Sequence, residues 1–280
     1  IPLPPRSTLF PYTTLFRSAK AERLPLQLEE EICRLLGITI TQPKQREAYG
    51  IRLSAARGSR LDAIYHHPRY IETTRALQAG NGQKIVLGDI LLDIAGGATP
   101  KAKDESLYTS SGIKFLRILN IKPNRLDFSD LNYIQGDVHE GLLKRSQLAA
   151  DDVLMTITGR VGTEAVVSGD DLPANINQHI VRLRVDKDRC LPWYLSAYLN
   201  TSLGSLLSNR SVSGGTRIAL DYGAIRQIPL LLPSLDRQEK VIALVRRAIE
   251  LEAKLRTHAE TVWREARERF EQQLLQGGQA

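Results

Sequence analysis

The period of the apolar positions changes twice along the chain, from helical to alternating and back to helical, and each stretch predicts its own kind of structure. From Leu26 to Leu36, the residues Leu28, Ile32, Leu35 and Leu36 fall at helical spacing and predict a short amphipathic helix. A polar, basic connector follows from about Thr41 to Arg60. The run "RLDAIYHHPRYIETTRALQ" then reads as an aromatic-rich turn bounded by Pro68, leading into a short helix that ends near Gly80-Asn81-Gly82. Between Lys84 and Pro233 the period shortens to two. "IKFLRILNI", "DVLMTIT" and "HIVRLRV" have the β-branched alternation of strands, separated by Gly, Asn and Asp turns. In the last of these, Val181, Leu183 and Val185 face one way, and Ile180, Arg182 and Arg184 the other. A single helix interrupts this region: "LPWYLSAYLNTSLGSLL" carries one apolar stripe, with Pro192 near the first turn, where a missing N–H costs nothing.

Beyond "IPLLLPSLDRQE" the period becomes helical throughout, since no Gly or Pro occurs from Ser234 to Gln276. Ser234 or Asp236 can cap this helix, and Asp236 with Glu239 has the spacing of a capping box. Positions 241, 245, 248, 252, 255, 259, 262, 266, 269 and 273 form a heptad frame in which seven of ten residues are apolar, Val241, Val245, Ala248, Leu255, Ala259, Val262 and Ala266. Ile242, Ile249, Trp263 and Phe270 widen the stripe. A helix of about 40 residues is roughly 60 Å long and must bury such a stripe against a partner. The patterns together predict an α/β (α+β) body on a mixed β-sheet, followed by a long C-terminal α-helix of coiled-coil type.

Composition narrows the class. Of 280 residues, 42% are hydrophobic and 25% charged, as in a globular protein. The longest apolar runs are broken well before the roughly 20 residues a membrane span needs. Cys33 and Cys190 stand far apart, outside any Cys-x-x-Cys spacing, so neither a disulfide framework nor a thiolate zinc site is expected, and the natural setting is a reducing cytoplasm. The net charge of +7 suggests a polyanionic partner, but its distribution weakens that inference. Residues 1–83 carry 12 Lys/Arg against 7 Asp/Glu, residues 84–235 carry 17 against 16, and residues 236–280 carry 9 against 8. Nucleic-acid binding must therefore rest on local placement of basic side chains. The segment "STLFPYTTLFRS" is nearly a doubled unit that resembles translated sequencing-adapter read-through. Residues 1–18 are accordingly read as non-native, which leaves room for a native chain that began further upstream.

Four motifs carry candidate chemistry. "AGGATP" lacks the Gly-Lys-Ser/Thr of a phosphate loop and reads as a sharp turn with positive φ at Gly96 or Gly97. Next to it, Thr99, Lys101, Lys103, Lys114 and Arg117 spread over a loop and into a strand, a layout suited to a backbone-positioning or base-reading surface and equally to a solvated loop. "TITGRVG" leads a strand into a glycine-hinged turn that projects Arg160, and "SGGTRIAL" presents Thr216 and Arg217 in the same way. An arginine at such a tip can fork onto guanine or phosphate, or be an ordinary exposed hairpin residue. In "DLPANINQHIVRLRV" the Asn-Gln-His cluster lacks further metal ligands at suitable spacing and reads as scaffolding that ties down turn backbone. No methyltransferase, Walker, zincin or nucleophile-elbow motif is present, so no catalytic residue, metal ligand or cofactor site is assigned.

Residues from about 60 to 275 resemble the specificity subunit of type I restriction-modification systems. The likeness is carried by the order and spacing of "RLDAIYHHPRY", "LGDILLDIAGGATPK", "DVLMTITGRVGTEAVV", "NINQHIVRLR", "YLSAYLNT" and "GGTRIALDYGAIRQIPLLLPSLDRQEKVIALV". The resemblance implies one target recognition domain, residues 84–235, after an N-terminal helical and connector segment, residues 19–83, and before a conserved helical arm, residues 236–276. It implies a non-catalytic chain in which the loop residues named above read duplex DNA. The arm, through Val241, Val245, Ala248, Leu255, Ala259, Val262 and Ala266, would pair with a second arm. Methyltransferase subunits would bind S-adenosylmethionine, and restriction subunits could join the assembly. One recognition domain instead of the usual two implies either a homodimer or a lost upstream half. The sequence departs from the family pattern at Ala98, inserted in "GGATP", and at Arg217, where Gln usually stands. A coiled-coil adaptor that binds methyltransferase subunits without reading sequence is the alternative, favoured by the near-neutral charge of residues 84–235.

Overall fold

The computed structural model describes residues 19–39, 48–52, 54, 65–100, 107–210 and 219–277. The larger of its two compact units is Ile32–Ile242, and the described helical segments flanking it make up the other. Helix α1 spans Ala19–Leu36 and so begins earlier than its apolar spacing predicts. In α2, Pro68–Ala79, the His67 side chain accepts from the Arg69 N–H and Pro68 opens the first turn, while Gly80 closes the last.

Strand β1, Gln83–Val86, pairs antiparallel with the last strand of the unit, β12, Pro229–Leu232. The two ends of the strand-rich region are thereby clasped together, and the Leu87 N–H extends the clasp by donating to the Ile228 carbonyl at 2.8 Å. Between them lie two four-stranded sheets. One is antiparallel throughout, in the order β2 (Leu91–Gly96), β11 (Ile180–Val185), β8 (Val153–Thr156), β9 (Glu164–Val166). The other is mixed, in the order β10 (Ala174–Ile176), β4 (Ile113–Leu116), β7 (Asn132–Ile134), β3 (Tyr108–Thr109), with β10 parallel to β4. A short hairpin, β5 (Ile121–Lys122) with β6 (Arg125–Leu126), and helix α3, Gly136–Glu140, complete this part.

Alternation along β4 and β10 explains how the mixed sheet is held on both faces. Leu116, Ala174 and Ile176 join Leu154, Ala165, Val167 and Ile180 in one core, whereas Phe115 turns to the other face with Ile134, Val138 and Leu143. Each fully buried Leu, Ile, Val or Phe among them contributes roughly 1.5–3 kcal/mol by leaving water, and each alanine less.

The single helix expected after Leu191 is two, α4 (Pro192–Leu199) and α5 (Ser202–Arg210). Side-chain competition with the backbone ends the first. Asn200 donates to the Ser196 carbonyl and to the Glu164 carbonyl, both at 2.8 Å. The Thr201 hydroxyl donates to the Tyr198 carbonyl and accepts the Gly204 N–H, which starts the second helix. A short helix, α6 (Tyr222–Arg226), precedes β12.

The C-terminal segment forms one unbroken helix, α7, Leu235–Gly277, of 43 residues. Asp236 lies inside its first turn, where the carboxylate accepts from Lys240 at 2.8 Å, so the capping-box role expected of Asp236 is replaced by an i,i+4 ion pair. No helix among the described residues is long and apolar enough to cross a membrane.

Candidate functional site

The ends of β2, β8 and β10 and the start of β11 meet at one place, and side chains of the Asn-Gln-His cluster join them. Gly97 follows β2 so closely against the β10–β11 turn that a Cβ there would sit 2.1 Å from the Ile176 carbonyl oxygen and 2.2 Å from that of Asn177. Close approach, not a positive φ, is therefore what demands glycine, and the expected φ > 0 turn at Gly96 or Gly97 is corrected. Gly96 is instead a strand residue whose N–H donates to the Tyr222 hydroxyl. The Gly97 N–H donates to the Ile180 carbonyl at 3.1 Å, which brings Thr99 to Gln178, and the Thr99 hydroxyl donates to the Gln178 Oε1. On the other side of the turn, His179 Nδ1 lies 2.7 Å from the Thr158 hydroxyl, and its carbonyl accepts the Ile157 N–H. Asn177 Oδ1 accepts the His179 N–H at 3.1 Å, the turn-fixing role predicted for the cluster. Ala219 bridges to Thr158 from a further segment.

The sequence-predicted residues divide among several surroundings. Arg160 lies in a turn whose Gly159 and Gly162 have φ of +69° and +73°, as the glycine-hinged reading requires. Its backbone carbonyl accepts the buried Thr156 hydroxyl, which closes the turn from within. The exposed Arg160 guanidinium makes no hydrogen bond or ion pair with the described residues. Arg117 reaches the same end of the mixed sheet, where the Leu116 carbonyl accepts the Asn177 N–H. Its guanidinium is engaged by the Asp130 carboxylate at 2.8 Å and the Asp130 carbonyl at 3.2 Å. Lys114 sits at the opposite end of β4, donating to the Asp170 carbonyl at 3.3 Å with its ammonium 5.7 Å from the centre of the Phe128 ring. Lys101, Lys103, Thr216 and Arg217 lie outside the described residues. Thr99, Arg160 and Arg117 thus belong to one end of the sheets, and Lys114 does not.

Residues 82–260 match the family described as the type I restriction modification DNA specificity domain. The chain belongs to that family. A curated relative, the type I restriction enzyme EcoBI specificity subunit of Escherichia coli, is 24% identical over 134 residues, which are 48% of this chain and 28% of the relative. Among solved structures, the HsdS subunit from Thermoanaerobacter tengcongensis is 16% identical over 88% of this chain and 48% of its own, with a TM-score of 0.49. The type I restriction-modification system S subunit from M. genitalium is 13% identical over 90% and 56%, with a TM-score of 0.45. The chain spans about half the length of these solved relatives and less than a third of the curated one.

Within this specificity-family domain the antiparallel sheet consumes or neutralises its own charges. Arg182, 5% exposed, pairs with Asp93 at 2.8 Å, and Arg184 Nε donates to the buried Asp152 at 2.7 Å, which pushes the Arg184 guanidinium above its ordinary value. Asp152 also accepts the Ala149 N–H at 2.7 Å. Glu164 on β9 is fully buried with neither carboxyl oxygen hydrogen-bonded, and desolvation pushes it up to about 8, so it is protonated at neutral pH. Burial likewise pushes the Cys190 thiol up to about 12, which leaves it inert as a nucleophile. No cluster of metal-ligating side chains occurs among the described residues.

Gln178, read from sequence as part of the scaffolding cluster, contacts Thr99 in the loop after β2 and its neighbour His179. One further polar residue of this framework was not assigned a role from sequence. Gln238, fully buried, accepts the Leu191 N–H at 2.8 Å and donates to the Arg189 and Pro233 carbonyls at 2.9 and 3.0 Å, fastening the first turns of α7 to the 189–191 turn. A glutamine inside an otherwise solvated "DRQE" start gave no sequence-level reason to expect burial. Along α7 itself, Val241 and Val245 are buried within the chain's own packing and so are not available to a partner helix. Ala248, Leu255, Ala259 and Val262 are half-buried, and Ala266 is exposed. Phe270 is also exposed.

Proposed function

We propose that the chain reads one half of a split duplex DNA target as the specificity component of a type I restriction-modification complex, and that it catalyses nothing itself. Residues 84–235 would serve as the target recognition domain, residues 19–83 as the segment leading into it, and residues 236–276 as the arm that sets the distance to a second recognition domain. That second domain would come from another copy of the chain or from an upstream half. The arm's contact would run through Ala248, Leu255, Ala259, Val262 and Ala266. Methyltransferase subunits would supply S-adenosylmethionine and methyl transfer, and restriction subunits would supply cleavage.

The observation that carries this reading is the junction of loops at one strand end, where the exposed Arg160 side chain has no hydrogen-bond or ion-pair partner among the described residues. A guanidinium held on a rigid two-glycine turn fits guanine O6/N7 or a phosphate. Arg117, on the same end, is held by an exposed aspartate, and such surface pairs are worth about 0–1 kcal/mol, so it can be exchanged for a phosphate. Near-neutral charge in residues 84–235 suits a module that reads base edges while other subunits hold the backbone.

The test is site selection from a randomised duplex library by the chain assembled with type I methyltransferase subunits. Replacing Lys101, Lys114, Arg117, Arg160 and Arg217 together by alanine abolishes the selected motif; an unchanged motif overturns the assignment. Assembly with methyltransferase subunits but no motif from the unaltered chain favours the adaptor reading.

A further inference from the structure

We propose that the turn Lys144–Ser146 is a phosphate-binding site, in which Lys144 and Arg145 hold the DNA backbone beside the half-site; this rests on the DNA-reading function proposed above. Most described basic side chains between residues 84 and 235 are already engaged. Arg182 and Arg184 are held by Asp93 and Asp152, Lys187 by Asp151, and Arg189 by the Asp89 carbonyl. By contrast, Lys144, Arg145, Arg160 and Arg226 are exposed and make no hydrogen bond or ion pair with a described residue. Arg226 lies against Gly88, before the start of β2 and so at the far end of that strand from the junction.

What separates the Lys144–Arg145 pair from an ordinary solvated pair is how the turn beneath it is fixed. Asn175 on β10, fully buried, donates from its amide nitrogen to the Leu143 carbonyl at 2.9 Å and to the Ser146 hydroxyl at 3.1 Å. A backbone carbonyl can only accept, so this contact fixes the orientation of the amide. The Ser146 hydroxyl donates in turn to the Leu143 carbonyl at 3.0 Å, and the Gln147 amide donates to the His139 carbonyl at 3.0 Å. Leu143 itself is buried with Phe115, Ile134 and Val138. Residues 143 and 146 are thus anchored inward on either side of two exposed cations. A backbone already ordered by buried contacts has less conformational entropy to lose when a ligand binds.

The same anchor places the pair near the reading junction. Asn175 comes two residues before Asn177, roughly 7 Å along a strand, and the Ile176 carbonyl between them is one of the two against which Gly97 packs. Ala98, the next residue, packs against the cluster that holds Leu143. A B-DNA major groove is about 12 Å wide, so a side chain reading its floor has a phosphate backbone roughly 6 Å to either side. Cations held beside Asn175 stand where such a backbone passes. Lysine offers a point charge and arginine a planar fork, and both suit phosphate oxygens. No base enters this contact, so it adds affinity without sequence preference.

The experiment is a salt titration of duplex binding by the full chain assembled with methyltransferase subunits, on a duplex carrying its selected motif and on one of random sequence. Replacing Lys144 and Arg145 together by alanine makes the slope of log affinity against log salt shallower by about 1.8 on both duplexes, about 0.9 for each phosphate contact, and leaves the selected motif unchanged. Exchanging the two residues, Lys144→Arg with Arg145→Lys, keeps the original slope, because both charges stay. Lys187→Ala, which removes a cation already paired with Asp151, also keeps it. An unchanged slope in the double alanine variant, an equal change in Lys187→Ala, or a preference lost at one base pair overturns the proposal. So does loss of methyltransferase assembly at an unchanged slope, which would make the turn a protein-docking surface. If the unaltered chain selects no motif, the DNA-reading function fails, while the slope on the random duplex still decides the phosphate contact.

Discussion

Two regions of the recognition body use the same polar residue types to opposite ends. On the antiparallel sheet, Arg182, Arg184, Asp93 and Asp152 form a ladder of ion pairs, and Glu164 is buried and protonated. At the loop junction, a few residues along the same strands, Arg160 and Gln178 are exposed with hydrogen-bonding capacity left over. The difference teaches that a basic strand is not by itself a nucleic-acid surface. An arginine whose face of the sheet carries a carboxylate has its charge spent before any ligand arrives, whereas one carried past the strand end on a glycine turn keeps it.

The comparison breaks most sharply at Asp152. Its buried carboxylate serves Arg184, Arg182 and the Ala149 N–H, so Asp152→Ala leaves Arg182 in the sheet without that partner. Arg182 keeps Asp93 and Arg184 is half-exposed, so the expected loss is about 1–3 kcal/mol in denaturant unfolding, with the DNA motif of the remaining folded complex unchanged. Loss of motif at unchanged stability would place this ladder among the reading residues instead.

Glu164→Gln sharpens the contrast through pH. The folded carboxyl titrates at about 8 against an ordinary 4.5, so the folded state holds the proton more tightly than the unfolded state. That contribution to stability is complete below pH 4.5 and is lost as pH rises to about 8. The amide variant removes the dependence, so its advantage over the original chain grows by about 1.4 kcal/mol or less per pH unit across this window. Urea midpoints at pH 5, 6.5 and 8 read it out, and parallel curves for the two proteins would show that Glu164 finds a partner in solution.

At the junction, Arg160→Ala should move stability by no more than about 0.5 kcal/mol, because the guanidinium is exposed and holds none of the described residues in place. It should nonetheless weaken specific duplex binding by about 1–3 kcal/mol, measured in titrations of the assembled complex. A large stability loss would make Arg160 a structural residue like Arg182. The smallest effect is expected of Asp130→Ala, which releases Arg117 for less than about 1 kcal/mol of stability. If Arg117 then takes a phosphate, the slope of log affinity against log salt steepens by about 0.9; an unchanged slope would leave Arg117 a structural residue.

Much of this was legible in the residues themselves, where the causes are local. The rod from Leu235 follows from an uninterrupted helical period, the face alternation of Ile180–Val185 from a period of two, and the Arg160 turn from glycines that alone adopt positive φ cheaply. The break at Asn200 and Thr201 was missed because it depends on side chains capturing backbone groups, one of them on another strand. Gly97 was assigned to glycine for the wrong reason, since its constraint comes from carbonyls about eighty residues later in the chain.

The sequence by itself determined where helices and strands run, which residues face together along each, and, through the ordered motifs, the family. Only the tertiary structure decided which polar groups are spent and which are available. Arg182 meets Asp93 across 89 positions and Thr99 meets Gln178 across 79, pairings set by strand order and register. A local period repeats within a few residues and can be read along the chain, but a cross-strand partner is chosen by the closure of loops between distant segments, which leaves no trace in the spacing of either one.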